Sequence, residues 1–287
     1  MRYETAVSVE DVIRLLSEDQ DITRILAGGT DVLVQLNSGF VEPDLIIDIK
    51  RLPGFRDITE ENGGYRIGAA VSCAEMSEHR GLGALWPGVV EAAAMIGSTQ
   101  IQGRATIVGN LCNASPAADS VPALVAADAV ATIIGPEGRR ELGVADIPAG
   151  PGKTVLGRSE FVESIFLPSR PAHSADAYQR FIPRTEMDIA VVGVGVSLTL
   201  DEDGACTAGR MALGAVAETV IVVSEAAAIL IGSSLDTARM DELAEAASKA
   251  CRPIDDKRGT ISFRTKVAGV LARRVATLAF ERAGSRP

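Results

Sequence analysis

Two short glycine-bearing segments are the places where this sequence has the residue types to do chemistry. The first is Ile25-Leu26-Ala27-Gly28-Gly29-Thr30-Asp31-Val32. Paired glycines let a backbone approach a ligand without Cβ obstruction, and a helix starting just after them offers free N–H groups. That chemistry suits a phosphate or pyrophosphate. The segment is not GxGxxG, so the nucleotide fold that carries that fingerprint is not indicated. Taken alone, a glycine pair after a strand also reads as a plain turn. The second segment is Thr106-Ile107-Val108-Gly109-Asn110, followed by Asn113, Ser115 and Asp119. It gathers hydroxyl, amide and carboxylate groups that could meet pyrophosphate oxygens, ribose hydroxyls or an adenine edge. The plainer reading is a solvated loop that ends where Ser115-Pro116 starts a helix.

Several other chemistries are disfavoured by what the chain lacks. With only His79 and His173 among 287 residues, histidine-based hydrolysis or a His-rich metal site has little to work with. The four cysteines, at 73, 112, 206 and 251, contain no Cys-x-x-Cys pair, which argues against an iron–sulfur cluster or structural zinc in this chain. Lys+Arg number 28 and Asp+Glu 38, so 28 − 38 leaves −10. That acidic excess argues against nucleic acid or anionic lipid as the main partner. No run approaches the roughly 18 apolar residues of a membrane span, and the opening residues lack a secretory signal pattern. A reduced, cytoplasmic protein is the expectation. Aromatics are 7 Phe, 3 Tyr and 1 Trp, so its cores must be built mostly from Ala, Val, Leu and Ile.

The elements that must position these groups follow from periodicity. Ser8 followed by Val9, Val12, Ile13, Leu15 and Leu16 predicts a short capped helix. A buried strand is expected over 23–27, a helix over 30–36 and a second strand over 44–49, which together make an α/β beginning. Asn62-Gly63-Gly64 signals a hairpin turn before a strand over 65–69. Helical stretches are expected over 73–79 and 89–96. Positions 97–119 show little periodicity and read as one long loop, of the kind that tends to be functional or disordered. A helix over 122–128 and a strand over 129–134 come next, closed by Gly135-Pro136-Glu137-Gly138. Pro168-Ser169-Arg170-Pro171 reads as a linker. Strands then precede helices, the longest near 261–282, giving an α+β end to the chain.

Ala27-Gly28-Gly29-Thr30-Asp31, Thr106-Ile107-Val108-Gly109-Asn110 and Ser115-Pro116-Ala117-Ala118-Asp119 together resemble the FAD-binding medium subunit of molybdenum hydroxylases. This is the family of carbon monoxide dehydrogenase medium chains and xanthine dehydrogenase flavin subunits. The likeness extends over nearly the whole chain, from Met1-Arg2-Tyr3 through the segment Arg184 to Ala190, with Asp188-Ile189-Ala190. It continues in Pro253-Ile254-Asp255-Asp256-Lys257-Arg258-Gly259 and Phe263-Arg264. It implies an α+β protein: a two-lobed FAD-binding domain of the vanillyl-alcohol-oxidase type, followed by a C-terminal domain of antiparallel sheet and helices. The divisions expected are 1–55, 56–172 and 173–287. An extended FAD would lie between the lobes, with its pyrophosphate at Ile25, Leu26, Ala27, Gly28, Gly29, Thr30, Asp31 and Val32 and at Thr106, Ile107, Val108, Gly109 and Asn110. Ser115 lies in the third motif, and Asp119 falls on a carboxylate that contacts the adenosine part. Ile96 stands where the family sets an apolar or aromatic side chain against the isoalloxazine. Val162 and Arg180 match later contacts, with Arg180 where xanthine dehydrogenases carry lysine.

The resemblance further implies an electron-transfer oxidoreductase subunit with no catalytic side chain and no metal of its own. [2Fe–2S] clusters and molybdenum-pterin would reside in a small and a large partner subunit, in a hetero-oligomer holding two copies each of the small, medium and large chains. Val108 departs from the commoner Thr-Ile-Gly-Gly. If that position needs φ > 0 or close phosphate contact, a β-branched residue is strained there and FAD retention weakens. Arginine for lysine at 180 keeps the charge but changes its geometry. Two other readings stand beside this one: a free-standing flavin oxidase or dehydrogenase, and a non-catalytic nucleotide-binding homologue that has lost FAD.

Overall fold

The computed structural model describes residues 1–18, 22–184 and 186–286. The chain opens with β1 (Arg2–Thr5), α1 (Val9–Ser17), β2 (Thr23–Leu26), α2 (Val32–Asn37) and β3 (Leu45–Asp48). The three strands form a parallel sheet in the order β1-β3-β2. Ser8 caps α1 by accepting from Asp11 N–H at 3.2 Å, and Val12, Leu15 and Leu16 on one face are buried. Central β3 is buried along its whole length, as a parallel strand covered on both faces must be.

A five-stranded antiparallel sheet follows, in the order β4-β5-β10-β6-β7. Its strands are β4 (Ile58–Glu61), β5 (Gly64–Gly68), β6 (Val130–Gly135), β7 (Gly138–Gly143) and β10 (Phe161–Leu167), with the short pair β8 (Pro148–Gly150) and β9 (Lys153–Thr154) beside it. Asn62 and Gly63 turn β4 into β5 with φ of 51° and 72°. Two successive positive values match the right-handed twist of the strands they join. Between β5 and β6 run six helices: α3 (Cys73–Glu78), α4 (Arg80–Leu85), α5 (Pro87–Ala94), α6 (Thr99–Gln102), α7 (Ile107–Cys112) and α8 (Ser120–Ala126). The expected loop over 97–119 is therefore corrected: α6 and α7 lie inside it. Helices of four and six residues are too short to show the 3.6-residue period that reveals longer ones.

The last third packs β11 (Ser174–Phe181), β12 (Val192–Leu200), β13 (Cys206–Gly214) and β14 (Ile221–Val222) in sequential antiparallel order. It is covered by α9 (Ser224–Leu230), α10 (Thr237–Ala250) and α11 (Ile261–Gly284). Alanines at 268, 272, 276, 279 and 283 bury one stripe of α11, so small side chains bring the helix close to the sheet. Two hydrophobic clusters result, one beneath the first two sheets and one between the third sheet and α9–α11.

Charged pairs brace the sheet edges. Arg140 on β7 grips Glu160 at 2.7 and 2.8 Å, and Gly157 N–H donates to the same carboxylate at 2.7 Å. The Arg140 hydrogen bonds, then the Gly157 N–H, hold Glu160 down at about 2, below its ordinary 4.5. A depressed carboxyl contributes stability that is present above the unfolded value and lost as pH falls through the folded one. Wild-type melting temperature is thus expected to fall more steeply than that of Glu160→Gln between about pH 5 and about pH 3, as thermal melts followed by circular dichroism would read.

Candidate functional site

The two segments singled out by composition meet. A Cβ added to Gly28 would lie 1.9 Å from the carbonyl oxygen of Arg104 and 3.1 Å from the Cα of Ala105. Only glycine permits that approach, and it seats the turn after β2 directly on the backbone that leads into α7. Gly29 has φ +79°, a left-handed turn that launches α2. Cys73 N–H anchors the other side of this junction by donating to Ala105 O at 2.8 Å.

Backbone donors on both segments are left over. Among the described residues, no hydrogen bond is made by the N–H groups of residues 28–32, nor by those of residues 106–108. Thr106 caps α7 by accepting from Gly109 N–H at 2.9 Å. A Cβ on Gly109 would meet only that capping oxygen, so its outer face is open. Two sets of unpaired donors, on segments joined where Gly28 meets the backbone of Arg104 and Ala105, are suited to the oxygens of a bridging phosphate group. This is the feature of the structure that fits a dinucleotide cofactor.

Val108 does not sit as the strain argument requires. Its φ is not positive, it lies in the first turn of α7, and its side chain is buried at 5% exposure. The strain expected of a β-branched residue therefore does not arise. Asn110 turns inward too, its Oδ1 accepting from Ser120 N–H at 3.1 Å and Ser120 Oγ–H at 2.7 Å. It thereby ties α7 to the start of α8. Ser115 is exposed and accepts from Ala117 N–H at 3.3 Å. Asp31 is exposed and accepts from Gln35 Nε2 at 2.5 Å, while Thr30 is half-buried.

Asp119 and Arg180 are joined in one ion pair at 2.6 Å, with both side chains nearly buried. The Tyr178 hydroxyl stands 3.5 Å from the other Asp119 oxygen. Burial raises the Asp119 carboxyl above its ordinary value, against the pull of Arg180, and raises Tyr178 as well. The two residues therefore form one paired group at a single place in the structure rather than two separate sites. Arg180 is thus a nearly buried, paired charge, and the reach of its guanidinium is set by Asp119. Sequence reasoning missed Tyr178, which reads as an ordinary core aromatic on β11.

Ile96 lies two residues beyond α5, half-buried against the core, before the left-handed Gly97. Val162 is buried on β10 opposite Ile133, beside a register shift between 162 and 164. Ile25 and Leu26 end β2 and Ala27 follows it; Leu26 is buried, and Ile25 and Ala27 pack on the core that holds Ile107. Cys112 is held as a thiol, since burial raises it to about 12. The described residues contain no cluster of His, Cys, Asp and Glu fit for a metal.

Because Val108 fills core space in a helix, Val108→Gly is expected to cost about 3 kcal/mol from lost burial and helix propensity. It should leave FAD retention no better than wild type. Thermal melts and a flavin titration of the two proteins would check both parts.

Residues 1–170 match a family model described as the FAD binding domain in molybdopterin dehydrogenase, and residues 177–279 match the CO dehydrogenase flavoprotein C-terminal domain. The alpha subunit of the 6-hydroxypseudooxynicotine dehydrogenase complex of Paenarthrobacter nicotinovorans is 31% identical over 281 residues, 98% of this chain and 95% of that one. The carbon monoxide dehydrogenase medium chain of Afipia carboxidovorans is 30% identical, covering 98% of this chain and 97% of that one. A solved structure of reconstituted CO dehydrogenase from Oligotropha carboxidovorans superposes with TM-score 0.94 at 29% identity, covering 98% of both chains. With residues 1–170 and 177–279 matched by the two family models and relatives aligned over nearly the whole chain, the chain belongs to the family of FAD-binding medium subunits of molybdenum hydroxylases.

Proposed function

We propose that the unpaired N–H groups of residues 28–32 and 106–108 hold the pyrophosphate of FAD, and that this one feature carries the function of the chain. Ile25, Leu26 and Ala27 position the first set from β2, and Thr106, through its cap, positions the second. Gly109 leaves room beside them, while Asn110 locks α7 against α8. The Asp119–Arg180 pair supplies a single polar contact for the cofactor, with Ser115 at the rim, Val162 on the neighbouring strand and Ile96 as the apolar surface against the isoalloxazine. The divisions 1–55, 56–172 and 173–287 are the units we assign to these roles.

Bound FAD would supply the redox chemistry, receiving electrons from [2Fe–2S] clusters of a small partner subunit and passing them to an external acceptor. The chain's own residues bind, orient and shield, and none of them is required as acid or base. Buried Asp119 and Arg180 neutralise each other, so the site presents a fixed dipole rather than a free charge beside the cofactor. The large partner, with molybdenum-pterin, would oxidise the substrate, and the assembly we propose holds two copies of each of the three chains. Four free cysteines suit a reducing cytoplasm.

The test is the visible spectrum of the purified chain with FAD, followed through gel filtration. Flavin bands that travel with the protein at one FAD per chain are expected. A folded chain that takes up no flavin would overturn the proposal, and flavin reduced directly by a small organic substrate would instead favour a free-standing enzyme.

A further inference from the structure

Helix α5 has no cap of its own. It begins at Pro87, after Trp86, with no side-chain hydrogen bond from its own N-terminal residues. The donor left over at Val89 is met from the C-terminal domain: Asp176 on β11 accepts from Val89 N–H through Oδ2 at 3.0 Å. The other Asp176 oxygen takes Arg170 Nη1 at 2.8 Å. Arg170 lies 4.1 Å over the ring of Trp86 and donates to Leu85 O at 3.2 Å. Further along α5, Glu91 is paired with Arg282 of α11, whose Nη1 also donates to Asp176 O at 3.0 Å. Gly88 makes the seating close, since a Cβ there would stand 2.5 Å from Asp176 Oδ2 and 2.8 Å from the backbone of Ala177.

We infer that Asp176 and Arg282 are positioning residues of the flavin site, fixing α5 from the C-terminal domain and so setting the place of Ile96 at its far end. The inference rests on the reading that Ile96 meets the isoalloxazine. An eight-residue helix spans about 12 Å and moves as a rod, so a change at its N-terminus is carried to the residues that follow it. The far end is fastened as well: Gln102 Nε2 donates to Ala94 O, and Gly97 takes its left-handed turn against Ile101. Buried ion pairs stabilise little once their desolvation is counted, and a network this complete serves instead to define one geometry. The charges sit where the two hydrophobic clusters meet, at the contact of α5 with β11 and α11.

The experiment compares FAD-loaded chains carrying Asp176→Ala, Asp176→Asn, Glu91→Ala and Ile96→Ala, at temperatures well below melting. The readouts are the long-wavelength flavin band, the flavin midpoint potential and the FAD dissociation constant. Asp176→Ala is expected to shift the band and the potential and to weaken FAD several-fold. Asp176→Asn keeps an oxygen for Val89 N–H and should return the band towards wild type. Glu91→Ala, on a half-exposed face, should shift it in the same direction by less, and it carries the test if Asp176→Ala does not fold. A lowered melting temperature with unchanged band and potential in both Asp176→Ala and Glu91→Ala, while Ile96→Ala shifts them, would show a structural role only and overturn the inference. An unchanged band in Ile96→Ala would overturn the placement of Ile96, and the inference with it.

Discussion

Gly28 lies so close to the carbonyl of Arg104 that no other residue could take its place without moving one backbone or the other. That contact joins a turn in the parallel sheet to a helix start in the antiparallel half of the FAD-binding domain. It joins two segments that each carry unpaired N–H groups although they are far apart in the chain. The two segments belong to the parts of the chain built on separate sheets, so neither part alone carries both sets. The family match, the Thr106 cap and the inward tie from Asn110 to Ser120 all serve that junction.

On the proposed reading, a doubly charged phosphate bridge would need few charged side chains here. Oriented backbone donors provide positive potential without the rotamer entropy of lysine or arginine, and without the cost of burying a full charge. Arg180, assigned to the same cofactor, is already balanced by Asp119. The net charge of −10 therefore does not conflict with binding an anionic cofactor.

Much of this is legible in the amino-acid sequence. The capped helix at Ser8, the hairpin at Asn62-Gly63 and the long helix near 261–282 stand where their signals place them, because each rests on local chemistry. The glycine segments are legible as sites, but their mutual contact is not, since nothing local pairs Gly28 with Arg104. The helices α6 and α7 read as loop because four and six residues cannot display a period. For Val108, the family pattern suggests strain, and only its helical backbone removes it. The ion pair between Asp119 and Arg180, 61 positions apart, is a product of tertiary packing. So is the cap that Asp176 lends to α5 from β11 of the third sheet.

The most direct test of the junction as the cofactor's cradle is an amide NMR titration of the isotopically labelled chain with FAD. The amide signals of residues 28–32 and 106–108 should move together and saturate at one equivalent. Those on the outer faces of α10 and α11, such as Arg239 and Arg274, should remain still. Saturable shifts confined to other surfaces, with the amides of both glycine segments unmoved, would contradict the account.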